Sequence, residues 1–381
     1  MNSIPFNKSP VLGTEIDYIR QAIESRALCG DGIFSKRCEV LLTEMTSTHR
    51  ALMVPSCTAA LELSAILIDI QPGDEVILPS FTFVSTANAY ALRGAKLVFV
   101  DIEKDSMNLD PKRVEEAITD RTKAIVVVHY AGMACKMDEI MQIAEKNNIY
   151  VIEDAAQAIG NHYRDRALGS IGHLGTFSFH ETKNITSGGE GGALLINDEK
   201  LIERAEIIRE KGTNRKLFLR GVVDKYSWVD IGSSFLPSEI QCAYLLAQLE
   251  NIKKINGKRL ALWNTYAAEL SVLEEKGIAT LPSVPEYTGN NAHIFFLKCK
   301  NIDERSELIT YLRNHDVAAV FHYVPLHSSK YGKTSGFFHG ADHFTTCESE
   351  KLVRLPLYFE LTENEVKKVC SLILEFFGIK A

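Results

Sequence analysis

The chain has 381 residues, 46% hydrophobic and 24% charged, with 42 Lys and Arg against 49 Asp and Glu and a formal net charge of −7. That length exceeds the roughly 250 to 300 residues at which single cores stop growing, so two domains are expected, and the acidic balance sets aside the basic footprint of a nucleic-acid-binding protein. No apolar run reaches the roughly 18 residues of a membrane span, the first residues lack a cationic end followed by an apolar stretch, and the eight cysteines form no CxxC pair, so a cytoplasmic protein with reduced thiols and no metal site is expected.

In chain order, short β-rich runs at 51–54, 75–78, 96–100, 124–128 and 149–152 alternate with helical patterns. Near-continuous apolar strands separated by helices predict a sheet covered on both faces and hence largely parallel. Two more strands, near 175–179 and 192–196, bring the sheet to seven. From 238 to 273 the spacing of Ile240, Ala243, Tyr244, Ala247, Leu249 and Ile252 predicts one long amphipathic helix bridging two domains. Beyond it, a strand at 294–297 and helices at 304–314 and 363–377 predict a small α+β domain. The expected division is a large domain over 1–250 and a small one over 251–381.

Ligands of such sheets sit beyond the carboxyl ends of the strands, and several chemically useful residues fall there. Cys57 and Thr58 open an apolar helix after the first strand, where free backbone N–H groups can seat a phosphate; the alternative is that Ser56 or Thr58 simply caps the helix. Phe83 follows the second strand and could cover a planar ring or fill a core. His129, after the fourth, could line a pocket or be structural. Asp154, at the end of the fifth, could hold a pyridine nitrogen protonated or cap a helix, and Gln157 one turn on could donate to a ring hydroxyl. Ser178 and Lys183 precede the run Ser187-Gly188-Gly189-Glu190-Gly191-Gly192, and a lysine amine can form an imine with an aldehyde cofactor. Each residue alone has an ordinary explanation. Their conjunction in this order, each at or just past a strand end, points to an aldehyde cofactor.

In that combination the sequence resembles the pyridoxal-phosphate (PLP) nucleotide-sugar aminotransferases of fold type I, the aspartate-aminotransferase superfamily. The resemblance runs from the Gly30-Asp31-Gly32 loop through Thr58-Ala59-Ala60-Leu61, Pro79-Ser80-Phe81-Thr82-Phe83, Glu153-Asp154-Ala155-Ala156-Gln157 and Phe179-His180-Glu181-Thr182-Lys183-Asn184 to His322-Tyr323-Val324-Pro325-Leu326-His327 and Leu355-Pro356-Leu357. It implies PLP as cofactor, Lys183 as the imine-forming lysine and general acid/base, Asp154 on the ring nitrogen, Gln157 near the ring hydroxyl, Phe83 on the ring face, and Cys57, Thr58 and Ser178 at the phosphate. It also implies a homodimer with its sites at the subunit interface, L-glutamate as amino donor and a dTDP-linked keto sugar as acceptor. Where much of the family has Gly-x-Asn-x-Arg, whose Asn reaches the neighbouring subunit's cofactor phosphate, this chain has Gly232-Ser233-Ser234-Phe235-Leu236; Ser234 keeps a hydroxyl and loses the amide. Tyr323, His327 and Arg215, with Asn291, His293, Arg220 and Lys225, are the polar candidates for the sugar and its pyrophosphate. Two other readings are a PLP-dependent sugar dehydratase, in whose relatives a histidine replaces the lysine, and a regulatory protein that binds PLP or a nucleotide sugar without turnover.

Overall fold

The computed structural model describes residues 3–379. Seven apolar runs form strands β1 (Arg50–Val54), β2 (Glu75–Pro79), β3 (Lys96–Val100), β4 (Thr122–Val128), β5 (Tyr150–Asp154), β6 (Leu174–Ser178) and β7 (Gly192–Ile196). Two further strands, β8 (Phe295–Lys298) and β10 (Leu352–Leu355), pair antiparallel outside this sheet. Between them in sequence, the three-residue β9 (Gly336–Phe338) returns to the large sheet and pairs parallel with β3. The resulting eight-stranded sheet has the order β1-β7-β6-β5-β4-β2-β3-β9. All its strands are parallel except β7, which runs antiparallel to both neighbours. The expected mostly parallel seven-stranded sheet is present, extended at its edge by β9.

Because successive strand side chains point to opposite faces, the near-continuous apolar runs feed two cores. Met53, Ile77, Val98, Ile125 and Val151 enter the layer covered by helices α1 (Glu15–Glu24), α2 (Ile33–Thr46), α5 (Met137–Asn147) and α7 (Glu239–Glu250). Leu52, Val76, Leu97, Ala124 and Ile152 enter the opposite layer, under α3 (Cys57–Leu67), α4 (Val84–Ala91) and α6 (Ile202–Arg209).

The single helix expected over 238–273 is two. Ser238 and Gln241 form a capping box that starts α7, the chain leaves helical geometry at Asn251 (φ −111°, ψ 10°), and α8 runs over Ile252–Glu275. The break divides the work of the apolar stripe. Ile252 and Ile255 still belong to the large-sheet core, whereas Leu262, Tyr266, Leu270 and Leu273 join a third core with β8, β10, α9 (Ile302–Asn314) and α11 (Glu363–Phe376); a short helix α10 (Thr345–Lys351) precedes β10. The chain start also joins that C-terminal core. Ile4 bridges to Val317 and is 2% exposed, so residues 3–10 cross from the small unit to the large one, over the carboxyl ends of the sheet strands.

Candidate active site

The last residue of β5 is Asp154, 5% exposed. Its Oδ2 accepts from the Thr86 hydroxyl at 2.7 Å and its Oδ1 from the Ala156 amide at 3.2 Å. Thr82 and Thr86, four residues apart across the start of α4, are 2.8 Å apart through their hydroxyls, so the second strand's exit loop orients the carboxylate. Among the described residues no basic side chain pairs with it. Burial pushes the Asp154 carboxyl up, against the opposing pull of Thr86, the Ala156 amide and the charge of Lys183.

Lys183 lies in the connection between β6 and β7. That loop is closed by Phe179 N–H to Gly191 O (2.8 Å), Glu181 N–H to Gly189 O (2.9 Å) and Lys183 N–H to His180 O (2.9 Å). Gly188 and Gly189 take φ of 79° and 129°, a region side chains avoid. A Cβ on Gly192 would stand 2.5 Å from the Cys57 nitrogen, so glycine there is what lets β7 start against the N-terminus of α3. Burial draws the Lys183 amine below its ordinary range; Cys57 and Asp154 oppose this, and the Arg354 charge reinforces it. Among the described residues no carboxylate pairs with Lys183.

At α3, Ser56 Oγ accepts from the Ala59 amide at 3.1 Å, and Thr58 donates to Ser85 at 2.8 Å. The capping alternative for Ser56 is therefore realised, and it leaves the Cys57 and Thr58 amides, in the helix's first turn, without intrahelical acceptors. Burial and the nearby Asp154 charge push the Cys57 thiol up, which keeps it protonated. Gln157 is fixed at both ends: its Oε1 accepts from the Ala131 amide at 2.7 Å and its Nε2 donates to Tyr323 Oη at 2.9 Å. Phe83, 56% exposed, is not a core residue; its ring lies 6.2 Å from that of Tyr323.

Cys57, Thr58, Phe83, Asp154, Gln157, Ser178, Lys183 and Tyr323 all line one cavity of about 680 Å³ between the large sheet and the C-terminal core. His293, His322, Arg354, Thr86 and Phe6 line it as well. His293 Nδ1 meets Asn184 Oδ1 at 2.9 Å; since Asn184 Nδ2 donates elsewhere, its oxygen accepts and His293 carries its proton on Nδ1. Burial holds His293 and His322 well below their ordinary range, so both are neutral.

Several candidates lie outside this cavity, among them Lys225 and Arg220, which pairs with Glu206 at 3.0 Å. His327 Nδ1 is 2.7 Å from Ser80 Oγ, its Nε2 faces Asp342 at 3.4 Å, and its ring packs on Phe338 of β9. Arg215, on the surface, pairs with Glu210 at 3.4 Å. Ser234 bridges to Glu210 through the backbone. His129 does not line the pocket either: fully buried, it accepts from the Cys135 amide and sits 2.8 Å from Glu153, which also accepts three backbone amides. That pair is scaffold behind Asp154. Asn291 likewise acts from behind, donating to the Gln157 carbonyl at 2.8 Å.

The chemistry of this donor set suits a phosphorylated pyridine. It offers a buried carboxylate without a counter-cation, orphan amides at the start of an eleven-residue helix, an exposed aromatic face and an unpaired lysine. The profile of the DegT/DnrJ/EryC1/StrS aminotransferase family matches residues 12–374. The chain belongs to that family. The match covers residues of all three cores and every cavity residue named above except Phe6, and pyridoxal 5′-phosphate is the cofactor. Among curated relatives, the protein MJ1066 of Methanocaldococcus jannaschii is 35% identical over 88% of each chain, and a protein of Geobacillus stearothermophilus named as a pleiotropic regulatory protein is 31% identical over 93% of this chain and 91% of its own. Among solved structures, an aminotransferase from Psychrobacter cryohalolentis superposes with a TM-score of 0.92 at 27% identity, covering 98% of this chain and 99% of that one. The PLP form of Spr1654 from Streptococcus pneumoniae, described as a sugar aminotransferase, does so with a TM-score of 0.88 at 25% identity over the whole of both chains.

Proposed function

We propose that this aminotransferase moves the amino group of L-glutamate onto the C4 keto group of dTDP-4-keto-6-deoxy-D-glucose. The products are dTDP-4-amino-4,6-dideoxy-D-galactose, a precursor for enterobacterial common antigen or another surface polysaccharide, and 2-oxoglutarate. The observation that carries the reading is the juxtaposition of a buried lysine and a buried carboxylate, neither in an ion pair, in one cavity; that the acceptor is a sugar is supported by the likeness to Spr1654, and the particular sugar rests on the sequence resemblance alone.

Bound in this cavity, pyridoxal phosphate supplies a carbonyl that exchanges for the donor's nitrogen and a pyridinium that withdraws electrons from the reacting carbon. Asp154 would keep the proton on the ring nitrogen. The Cys57 and Thr58 amides and the Ser178 hydroxyl would hold the phosphate, Phe83 would cover one ring face, and Gln157 would turn its Nε2 from Tyr323 to the ring hydroxyl. Lys183 Nζ, whose charged form burial disfavours, would take the α-proton of the donor and return one to C4 of the sugar.

Mass spectrometry of protein incubated with L-glutamate and the keto sugar tests this: an amino sugar and 2-oxoglutarate should appear in equal amounts. A dehydrated, nitrogen-free sugar would replace transamination by elimination. A sugar that binds without conversion in PLP-loaded protein would favour the regulatory reading, which the name of the Geobacillus relative raises.

The reading includes a second copy of the chain. On the segment from Arg215 to Ile231, Leu219 (64%), Val222 (66%), Tyr226 (57%) and Trp228 (80%) stand exposed together, an apolar surface of the kind that marks a docking site. We place a homodimer contact there, on the segment that carries Arg215 and ends beside Ser234. Trp228→Glu should convert a dimer into a monomer in light scattering at micromolar concentration and weaken PLP retention. A monomeric wild type, or an unchanged dimer in the variant, would remove the contact from the proposal.

A further inference from the structure

Three hydroxyl residues stand at the start of α4, Thr82, Ser85 and Thr86, and no side chain there caps the helix. Capping is the ordinary use of a hydroxyl at a helix start. Here all three are turned elsewhere. Thr86, fully buried, donates to Asp154 Oδ2 at 2.7 Å. A hydroxyl has one proton to give, so in the 2.8 Å contact between the two threonines Thr82 donates and Thr86 accepts. The chain runs one way, from Thr82 through Thr86 to the carboxylate. Ser85, one residue before Thr86, reaches a different element: it accepts from Thr58, in the first turn of α3, at 2.8 Å. That bond commits the Thr58 proton and leaves Ser85's own without an acceptor among the described residues. Thr82, Phe83, Ser85 and Thr86 all line the cavity.

We infer that the first turn of α4 positions both ends of the cofactor, Ser85 by donating to the phosphate and Thr86 by holding Asp154 against the ring nitrogen. The inference rests on the cofactor placement given above and not on the identity of the sugar. Successive residues of a helix point about 100° apart, so neighbours in one turn can serve two ends of a ligand. At the phosphate end, α3 offers the Cys57 and Thr58 amides, but the Thr58 hydroxyl is spent on Ser85, and the hydroxyl proton still free beside that seat is Ser85's. At the other end, donation from Thr86 favours the charged form of Asp154 against burial, which is the form that retains a proton on the ring nitrogen. An apolar residue at either position would loosen one end of the ligand and leave the other held.

The test removes the two ends of the ligand one at a time. Cofactor-free wild type, Ser85→Ala and Thr86→Val are titrated with pyridoxal phosphate, with pyridoxal, which lacks the phosphate, and with a deaza analogue of pyridoxal phosphate that has carbon in place of the ring nitrogen. The aldehyde that meets Lys183 is common to all three, so ratios of the dissociation constants isolate the two ends. Thr86→Val should weaken pyridoxal phosphate and pyridoxal by about 10-fold and the deaza analogue by less than about threefold. Ser85→Ala should weaken pyridoxal phosphate and the deaza analogue by about 10-fold and pyridoxal by less than about threefold. Thr86→Ser, which keeps the hydroxyl, should restore the wild-type pattern. Equal losses for all three ligands, as a merely structural role would give, exchanged patterns, or no loss in either variant overturns the inference. If Thr86→Val does not fold, Thr86→Ala takes its place. A wild type that binds all three ligands alike would overturn the cofactor placement together with the inference; a wild type that discriminates among them, with variants whose losses are uniform, would leave the placement standing and the inference fallen.

Discussion

Lys183→Met should lose at least about 10⁴-fold in turnover, the upper range for removal of a group that moves protons in the reaction, while the fold survives. The reason lies in where the amine sits. Burial makes its charged form unfavourable, and the charge of Asp154, which forms no ion pair with it, offsets this only in part. Methionine fills nearly the same volume without a charge to desolvate, so the cofactor-free variant should melt at a higher temperature than cofactor-free wild type at neutral pH. The pH dependence has a definite sign. A lysine whose folded pKa lies below its ordinary value of about 10.5 is protonated in the unfolded chain over a window in which the folded chain has lost its proton, so wild-type stability rises with pH through that window. In Lys183→Met this rise should be absent, and the stability gain over wild type should shrink as pH approaches the ordinary lysine value. Thermal melts of both cofactor-free proteins at several pH values, beside the turnover assay, check the prediction. Near-normal turnover would end the assignment of Lys183; a variant less stable than wild type would end the desolvation argument.

How far the sequence foretells this site depends on whether a residue's chemistry or its fold neighbours define its role. Lys183, Asp154 and Gln157 are legible because residue type and a position just past an apolar strand suffice, and the strands themselves announce their positions through runs of Val, Ile and Leu. Thr86 is legible only afterwards. It lies 68 positions from the Asp154 it touches, and a threonine at the start of a helix has many ordinary uses. Arg354 and Phe6 are further out of reach, since one comes from a C-terminal strand and the other from the chain start, and the two meet only over the finished cavity. A charged residue inside an otherwise apolar strand is the one local signal, visible in Leu352-Val353-Arg354-Leu355. β9 escapes for a different reason. Three residues with a glycine have no periodicity to read, and their strand character comes from pairing with β3. The division of the long helix at Asn251 is equally tertiary, because the apolar stripe continues across the break and what changes is the core it enters. Arg215 falls on the exposed segment proposed to meet a second copy and Ser234 lies just beyond its end, so their proposed roles depend on a chain other than their own.

Asp154→Asn should reduce turnover by about 10²- to 10³-fold, the range for loss of one preorganised electrostatic partner, and should weaken PLP binding, which Lys183→Met leaves supported by the phosphate seat and ring contacts. The carboxylate uses one oxygen for Thr86 and the other for the Ala156 amide. An asparagine has only one acceptor oxygen, so it gives up one of these contacts and all of the charge that holds the ring nitrogen's proton. In cofactor-free wild type that charge is a burden, because burial raises the Asp154 carboxyl. The unfolded carboxylate ionises first as pH rises, and the folded state loses stability between the ordinary aspartate pKa of about 3.9 and the raised folded value. The burden is lifted when a cationic ring nitrogen arrives, so part of what the fold forgoes when empty returns as affinity for the cofactor. The expected signature is therefore a contrast. PLP should raise the melting temperature of wild type strongly and that of Asp154→Asn weakly, while the acid-side loss of stability seen in the empty wild type should be missing from the empty variant. Equal stabilisation of both proteins by PLP would place the ring nitrogen away from Asp154. A carboxylate and a lysine buried in one cavity, neither with an ion-pair partner among the described residues, are each unfavourable to the empty fold, and both become useful when the same ligand lies between them.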